Sequence, residues 1–283
     1  MTGPVAFDRT GSGPPLVLLH GLGGERRVWR EVVEHLRDER EVISVDLPGF
    51  GDSAPLPDDI EPTPWAIAEA LDAFFTTLGV DRPHVAGNSL GGWVALELGK
   101  RGTVASVTGL CTAGLWSGPL APKPFVMHRL ARGLRPVLPA LMRTELGRRA
   151  ALSGIVARPD EVPARDALGV VRAYADAPAF VATNRAMRAN WFQGGEHIRV
   201  PVTLGWGEHD QMVTRPRPGA IHGPVRHLVL EGCGHLPMLD DARQTAAVVL
   251  SGSDSTRLRT RAADLDLRAT AACSAARSPG RSS

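Results

Sequence analysis

Cysteine is scarce in this chain: Cys111, Cys233 and Cys273 are the only three in 283 residues. An odd and widely scattered set offers neither a disulfide framework nor metal-ligand spacing. Lysine is rarer still, with Lys100 and Lys123 alone among 32 basic residues, and there is a single tyrosine. The arginine bias, together with abundant alanine, glycine and proline, fits a GC-rich coding sequence and says nothing of function. Long apolar runs are missing too, since nothing approaches the ~20 residues that a membrane-spanning helix needs. Charge imbalance is missing: 32 basic residues face 30 acidic ones, for a net charge of +2. That balance gives no electrostatic case for nucleic acid or an anionic membrane as a partner. Met1 to Thr10 holds no basic start followed by an apolar stretch, so no secretory signal and a cytoplasmic location are expected. No internal repeat is found.

What is present is a rhythm of short apolar runs and amphipathic stretches. Val5 to Arg9, Leu16 to Leu19, Glu41 to Val45, His84 to Ala86, Val104 to Leu110, Val200 to Trp206 and His227 to Leu230 read as strands. Uninterrupted apolar runs such as Leu16-Val17-Leu18-Leu19 suit strands covered on both faces. Between them, Glu25 to Leu36 places Trp29, Val32, Val33 and Leu36 on one helical face. Pro62 to Leu78 offers Thr63 as N-cap and Pro64 as first helical residue, with Trp65, Ala68, Leu71, Phe75 and Leu78 as its apolar side. Asp240 to Leu250 reads as a closing helix.

Strands alternating with helices imply right-handed crossovers and a mostly parallel sheet, an α/β fold. The alternation stops between residues 114 and 197, where Arg- and Ala-rich amphipathic pieces are punctuated by prolines. That stretch is too long for a loop and is expected to be an inserted helical cap. The core domain is therefore expected over residues 1–113 and 198–250. Residues 251–283 have no aromatic, Ile or Val and are expected to form a mobile tail.

The chemistry gathers at strand ends, where parallel sheets collect functional groups. Gly87-Asn88-Ser89-Leu90-Gly91-Gly92 stands between a strand and a helix, the context that makes Gly-x-Ser-x-Gly a nucleophile elbow. The free N–H groups and dipole of the following helix favour negative charge beside Ser89. His20-Gly21-Leu22-Gly23-Gly24, Glu208-His209-Asp210 and Gly232-Cys233-Gly234-His235 end three other strands. In chain order these loops supply Ser89, Asp210 and His235.

With these motifs the chain resembles the α/β-hydrolase fold superfamily, in its capped esterase-like branch. The matching residues are His20-Gly21-Leu22-Gly23-Gly24, Asp46-x-Pro48-Gly49-x-Gly51-x-Ser53, Gly87-x-Ser89-x-Gly91-Gly92 and Gly234-His235, spread over the chain from about Val5 to Leu250. Two features depart from the pattern: fewer N-terminal strands than in many relatives, and the segment after Leu250. The resemblance implies a serine hydrolase working through an acyl-serine intermediate. Ser89 is then the nucleophile, His235 the base that takes its proton, and Asp210 the acid that fixes the imidazole. The backbone N–H groups of Leu22 and Leu90 are the expected oxyanion donors, one such donor being worth about 3 kcal/mol of barrier. In some relatives the acid follows the strand after the elbow helix; here that position is Cys111-Thr112-Ala113, which favours Asp210.

Duller readings apply to the remaining candidates. His20 is expected to shape its loop, and His209 is the rival to His235. His35, His84, His128, His197 and His222 are expected to be packing or solvated residues. Asp46 and Asp52 are expected to stabilise the Pro-Gly-x-Gly turn, and Asp240 and Asp241 to be surface charges. Adjacent residues such as Glu208, His209 and Asp210 rarely converge on one ion, and no dinucleotide or P-loop fingerprint is present, so no metal and no cofactor are expected. Trp116, Phe125, Trp191 and Phe192 are candidate walls of the substrate pocket, with cap packing as their competing role. The expected partner is a small hydrophobic ester-like molecule; oligomeric state is not legible. Carbon–carbon bond hydrolases and perhydrolase-like enzymes share the triad. A slow-turnover ligand receptor on the same scaffold is the alternative outside enzymes.

Overall fold

The computed structural model describes residues 3–122, 125–214, 219, 221 and 224–254. Seven strands form one sheet in the order β1-β3-β2-β4-β5-β6-β7. They are β1 (Phe7–Thr10), β2 (Pro15–Leu19), β3 (Glu41–Val45), β4 (His84–Asn88), β5 (Ser106–Leu110), β6 (Val202–Gly207) and β7 (Val225–Leu230). Only β1 runs antiparallel, pairing with β3; every other neighbour is parallel. Parallel strands need crossovers, and helices supply those leading to β3, β4, β5 and β6, while no helix lies between β6 and β7 among the described residues.

The alternation of side chains along a strand explains the unbroken apolar runs. In β2, Val17 and Leu19 point into one core together with Ile43, Val45 and Val85. Leu16 and Leu18 point into the other, with Trp29, Val32, Val42 and Ala86. The first core is closed by α2 (Pro64–Leu78) and α3 (Leu90–Arg101). The second is closed by α1 (Arg30–Glu34) and by a closing helix, Ala242–Gly252, that reaches Val248 and Val249.

Local signals set the helix ends. Thr63 Oγ1 accepts the Ala66 N–H at 3.2 Å, Pro64 opens α2, and Gly79 closes it in the left-handed region at φ 71°. The expected helix from Glu25 is broken in two, a 3-10 turn at Arg26–Trp29 followed by the short α1. Trp65 lies outside the buried face of α2 and is 45% exposed, because Ile67, Ala68, Ala70, Leu71 and Phe75 define that face instead. The expected closing helix is also two elements, with Asp241 capping the second through the Gln244 N–H at 2.8 Å.

Between β5 and β6 the described residues form five α-helices, α4 (Val126–Gly133), α5 (Leu138–Arg143), α6 (Glu145–Leu152), α7 (Ala164–Asp176) and α8 (Phe180–Ala189), and a short 3-10 turn, Gly195–His197. The two short closing helices are then α9 (Pro237–Asp240) and α10 (Ala242–Gly252). The inserted helices have a small core of their own, in which Met142, Leu152, Val156, Val162 and Ala167 are packed by Leu236 and Leu239. The expected tail falls outside the described residues beyond 254, and α10 runs two residues past the expected Leu250. None of the described helices is long and apolar enough to cross a membrane.

Candidate active site

Ser89 occupies the tight turn between β4 and α3, with φ 53° and ψ −113°. A positive φ is rare for a residue with a Cβ and marks strain held by its surroundings. Here the clamps are visible: Ser89 donates its N–H to Leu110 O at 2.9 Å, and its carbonyl accepts the Ala113 N–H at 3.0 Å. Gly91 has no room for a side chain, since a Cβ there would collide with the carbonyls of Leu19 and His20. The elbow therefore needs glycine for close approach rather than for a positive φ.

At the end of β6, Asp210 faces His235, its Oδ2 lying 3.0 Å from the imidazole Nδ1. Its other oxygen accepts the N–H groups of Met212 and Val213 at 2.8 and 3.1 Å. Burial pushes the Asp210 carboxyl up, but the hydrogen bond and charge of His235 and the two amides outweigh it and hold it below the usual range. His209, the expected rival, is turned outward and 55% exposed, with Nε2 3.8 Å from Glu208.

The loops bearing Ser89 and His235 are tied together. Asn88, the residue before the serine, donates its side-chain amide to His235 O at 2.9 Å and to Leu110 O at 3.2 Å. No sequence signal pointed to Asn88; its position inside the elbow motif was the one available hint.

The glycine-rich loop after β2 is set by His20, which is fully buried. Leu47 donates its N–H to His20 Nε2 at 3.0 Å, so the proton sits on Nδ1 and is donated to Gly21 O at 2.8 Å. Gly24 N–H reaches the same carbonyl at 3.0 Å. Because a peptide unit is planar and trans, fixing Gly21 O also fixes the direction of the Leu22 N–H. Asp46 buttresses the loop from behind: its Oδ1 accepts the Arg26 N–H at 2.6 Å and its Oδ2 the Asp52 N–H at 2.8 Å. Arg26 also forms an ion pair with Asp46.

Cys111 stands at the end of β5 with φ 47°. Its sulfur, an oxygen of Asp210 and a nitrogen of His235 lie within 4.8 Å of one another, the one such three-ligand group among the described residues. Burial first, and then the Asp210 charge, push its thiol well up, which opposes the thiolate a metal would need. Cys233, buried behind His235, is likewise pushed up to about 12, mainly by burial.

Two expectations are corrected. Asp240 and Asp241 are half-buried rather than surface charges. Asp241 caps α10, whereas Asp240 accepts the Gly234 N–H at 2.7 Å through Oδ2 and the Ala157 N–H at 2.9 Å through Oδ1. For Asp240 the reason is the inserted segment, which packs onto the histidine loop and takes this carboxylate out of water; Asp241 is turned toward the first turn of its own helix.

The four aromatic candidates separate in space. Trp116 meets Trp93 of the first turn of α3 edge-on at 5.7 Å, and its indole donates to Asn190 O at 2.9 Å. Phe125 meets Phe180 at 6.3 Å. Phe192 is buried beside Lys100, whose Nζ stands 5.2 Å from the ring. That is the far end of α3, about 16 Å along the helix from Ser89. Trp191 is half-buried. Residues not anticipated from sequence approach the glycine-rich loop after β2 instead: a Cβ on Gly23 would come within 2.9 Å of Tyr174 and 3.3 Å of Phe180. His128 stacks on Phe180 at 4.6 Å and completes this cluster.

Comparison with known proteins agrees with the architecture. A model described as the alpha/beta hydrolase family matches residues 16–248. Epoxide hydrolase EphH of Mycobacterium tuberculosis is 31% identical over 198 residues, covering 65% of this chain and 92% of that protein. The pimeloyl-(acyl-carrier protein) methyl ester esterase of Aeromonas hydrophila is 29% identical over 264 residues, 87% of this chain and 97% of that one. Among solved structures, a bacterial membrane phospholipase A superposes with a TM-score of 0.70 at 27% identity, over 89% of this chain and 83% of that one.

Proposed function

The chain belongs to the alpha/beta hydrolase family of enzymes, and from that premise we propose that it is a serine hydrolase cleaving a small hydrophobic ester. The observation that carries this reading is the 3.0 Å contact of Asp210 with His235 beside an elbow whose residue is serine. Epoxide hydrolases of this fold use an aspartate at the elbow. Ser89 therefore favours the esterase side of the family, although one relative is named an epoxide hydrolase.

In this reading His235 takes the Ser89 hydroxyl proton as Oγ attacks the ester carbonyl. Asp210, held as a carboxylate, stabilises the imidazolium that forms. The N–H groups of Leu22 and Leu90 receive the oxyanion, and the Leu90 group lies in the first turn of α3, where helix amides lack partners. The tetrahedral intermediate collapses, His235 protonates the departing alcohol, and an acyl-Ser89 ester remains. Water, deprotonated by the same histidine, attacks that ester; its collapse returns the proton to Ser89 Oγ and releases the acid.

Residues 114–197 act as a cap in this proposal. Support comes from three loops at the sheet edge that they touch: Gly23 through Tyr174 and Phe180, Gly49 through Ala179, and Gly234 through residues 155–157. Phe125, Tyr174 and Phe180 then wall the acyl side, and Trp116 lies toward α3.

A chromogenic nitrophenyl ester tests the proposal. A burst of nitrophenol matched by an acyl mass on the Ser89 peptide is expected, and Ser89→Ala abolishes both. Equal turnover by the variant, or tight binding of the ester without turnover by the wild type, overturns it.

A further inference from the structure

The inserted helices carry an apolar stripe that the other described residues leave open. Val126, Met127, Leu130, Leu134, Val137 and Leu141 recur at the spacing of one helical face. The backbone stays helical through the turn between α4 and α5, with Leu134 N–H on Leu130 O, Leu138 N–H on Leu134 O and Leu141 N–H on Val137 O. The inward side of the same run is occupied by His128, Leu138 and Met142, all buried. The outward side is bare: Val126 and Met127 are each 63% exposed, Leu130 49% and Val137 47%. Single exposed apolar residues are ordinary, but six on one continuous face are not.

Charge says what such a face suits. Residues 125–144 contain four arginines and not one Asp or Glu, an asymmetry hidden by the near-neutral total of the chain. Arg135 is drawn to Asp176 at 2.6 Å, whereas Arg129, Arg132 and Arg143 stand exposed along the stripe. A second copy of this chain is disfavoured, because a two-fold contact would set those arginines against their like. An acidic protein partner would meet a face without exposed aromatic anchors, the residues that usually carry such interfaces. A basic helix with an aliphatic face fits the boundary of an anionic bilayer, where the apolar side enters the acyl region and the arginines reach the headgroups.

The geometry points to a membrane-docking surface on α4 and α5 that takes anionic phospholipid. It runs against the expectation drawn from net charge, which averages over the whole chain.

Flotation of the full chain with vesicles tests this, comparing phosphatidylcholine mixed with phosphatidylglycerol against phosphatidylcholine alone. The wild type is expected to float with the mixed vesicles, and less so as salt is raised. Replacing Arg129, Arg132 and Arg143 together by Gln should lower partition about a hundredfold, since each such cation is worth several-fold at an anionic surface. The triple change Val126→Ser, Leu130→Ser, Leu134→Ser should abolish it. Circular dichroism and turnover of a soluble ester should stay unchanged in both variants. The inference fails if the wild type does not float, or if either variant floats like the wild type, which would assign binding to another part of the chain. It also fails if the apolar variant instead loses a concentration-dependent dimer, or if the wild type is retained by an acidic protein and not by the vesicles.

Discussion

The side-chain amide of Asn88 donates to the main-chain carbonyl of His235 at 2.9 Å, joining residues 147 positions apart in sequence. The same amide reaches Leu110 O at 3.2 Å, so one buried side chain ties the elbow both to β5 and to the histidine loop. Asn88→Ala leaves two buried carbonyls without this donor, at a cost of about 1–3 kcal/mol. Asn88→Asp should be worse, because an ionised carboxylate would face both oxygens. The expected result is a lower urea midpoint for both variants and a fall in kcat larger than any change in KM. An Asp variant at least as active and stable as the Ala variant contradicts this.

Asp46 is fully buried and holds the backbone N–H groups of Arg26 and Asp52 together with the Arg26 guanidinium. Burial first opposes the charge of that guanidinium, but its hydrogen bond to Asp52 and the attraction of Asp46 and Asp8 leave it strongly favoured. Removing Asp46 takes a buried acceptor from two main-chain N–H groups and leaves the guanidinium only its more exposed partners Asp8 and Asp52. Asp46→Ala is therefore expected to destabilise the fold by about 3 kcal/mol, read by chemical denaturation. Asp52→Ala, whose side chain is 57% exposed, should cost little by comparison.

The elbow was legible in sequence because its constraints are local. The strand, serine and helix are contiguous, and the glycines that let them approach closely lie within the same short motif. The alternation of strands and helices was legible for the same reason. Asn88, Asp240, Tyr174 and Phe180 were not, because their roles depend on partners far away in the chain. Nothing near Asp240 announces that residues 155–158 will cover it, and in sequence it reads as the acidic first residue of a single closing helix, where a surface charge is expected. Trp65 misled in the opposite direction. It sits beside the N-cap of α2, where helical spacing alone does not decide which neighbour turns inward.

Three buried histidines give the fold a pH dependence whose sign can be worked out. Burial lowers the pKa of His20, His84 and His128. A histidine with a lowered folded pKa stabilises fully above its unfolded value of about 6.5, and that contribution is lost as pH falls below it toward the folded value. In His20 the neutral form is required outright, because Nε2 accepts the Leu47 N–H. Thermal denaturation from pH 7.5 to 5.5, roughly one unit either side of that reference, should show Tm falling. His20→Asn should flatten the slope, as one fewer proton is taken up on unfolding. A Tm that rises toward pH 5.5 would refute the assignment.

Asp240 joins the histidine loop to the inserted helices. Its Oδ2 accepts the N–H of Gly234, next to His235, at 2.7 Å, while Oδ1 accepts Ala157 N–H at 2.9 Å and Arg158 N–H at 3.3 Å. Leu236 N–H reaches Ile155 O at 3.0 Å, so the two segments are held on both sides of the histidine. Burial raises the Asp240 carboxyl, and the hydrogen bonds from the three amides offset only part of that rise. In Asp240→Asn only one of the two side-chain atoms can still accept, so either Gly234 or the 157–158 turn loses its partner. A rigid link would then become loose on one side, and the imidazole that the proposed mechanism uses as its base would be held less firmly. The expectation is a kcat lowered about tenfold for a loss near 1.4 kcal/mol, with KM little changed and the urea midpoint shifted only modestly. Asp240→Glu, which keeps both oxygens, should recover part of the rate. A purely structural role would lower the midpoint and leave kcat of the remaining folded enzyme intact, so the ratio of the two effects separates positioning from packing.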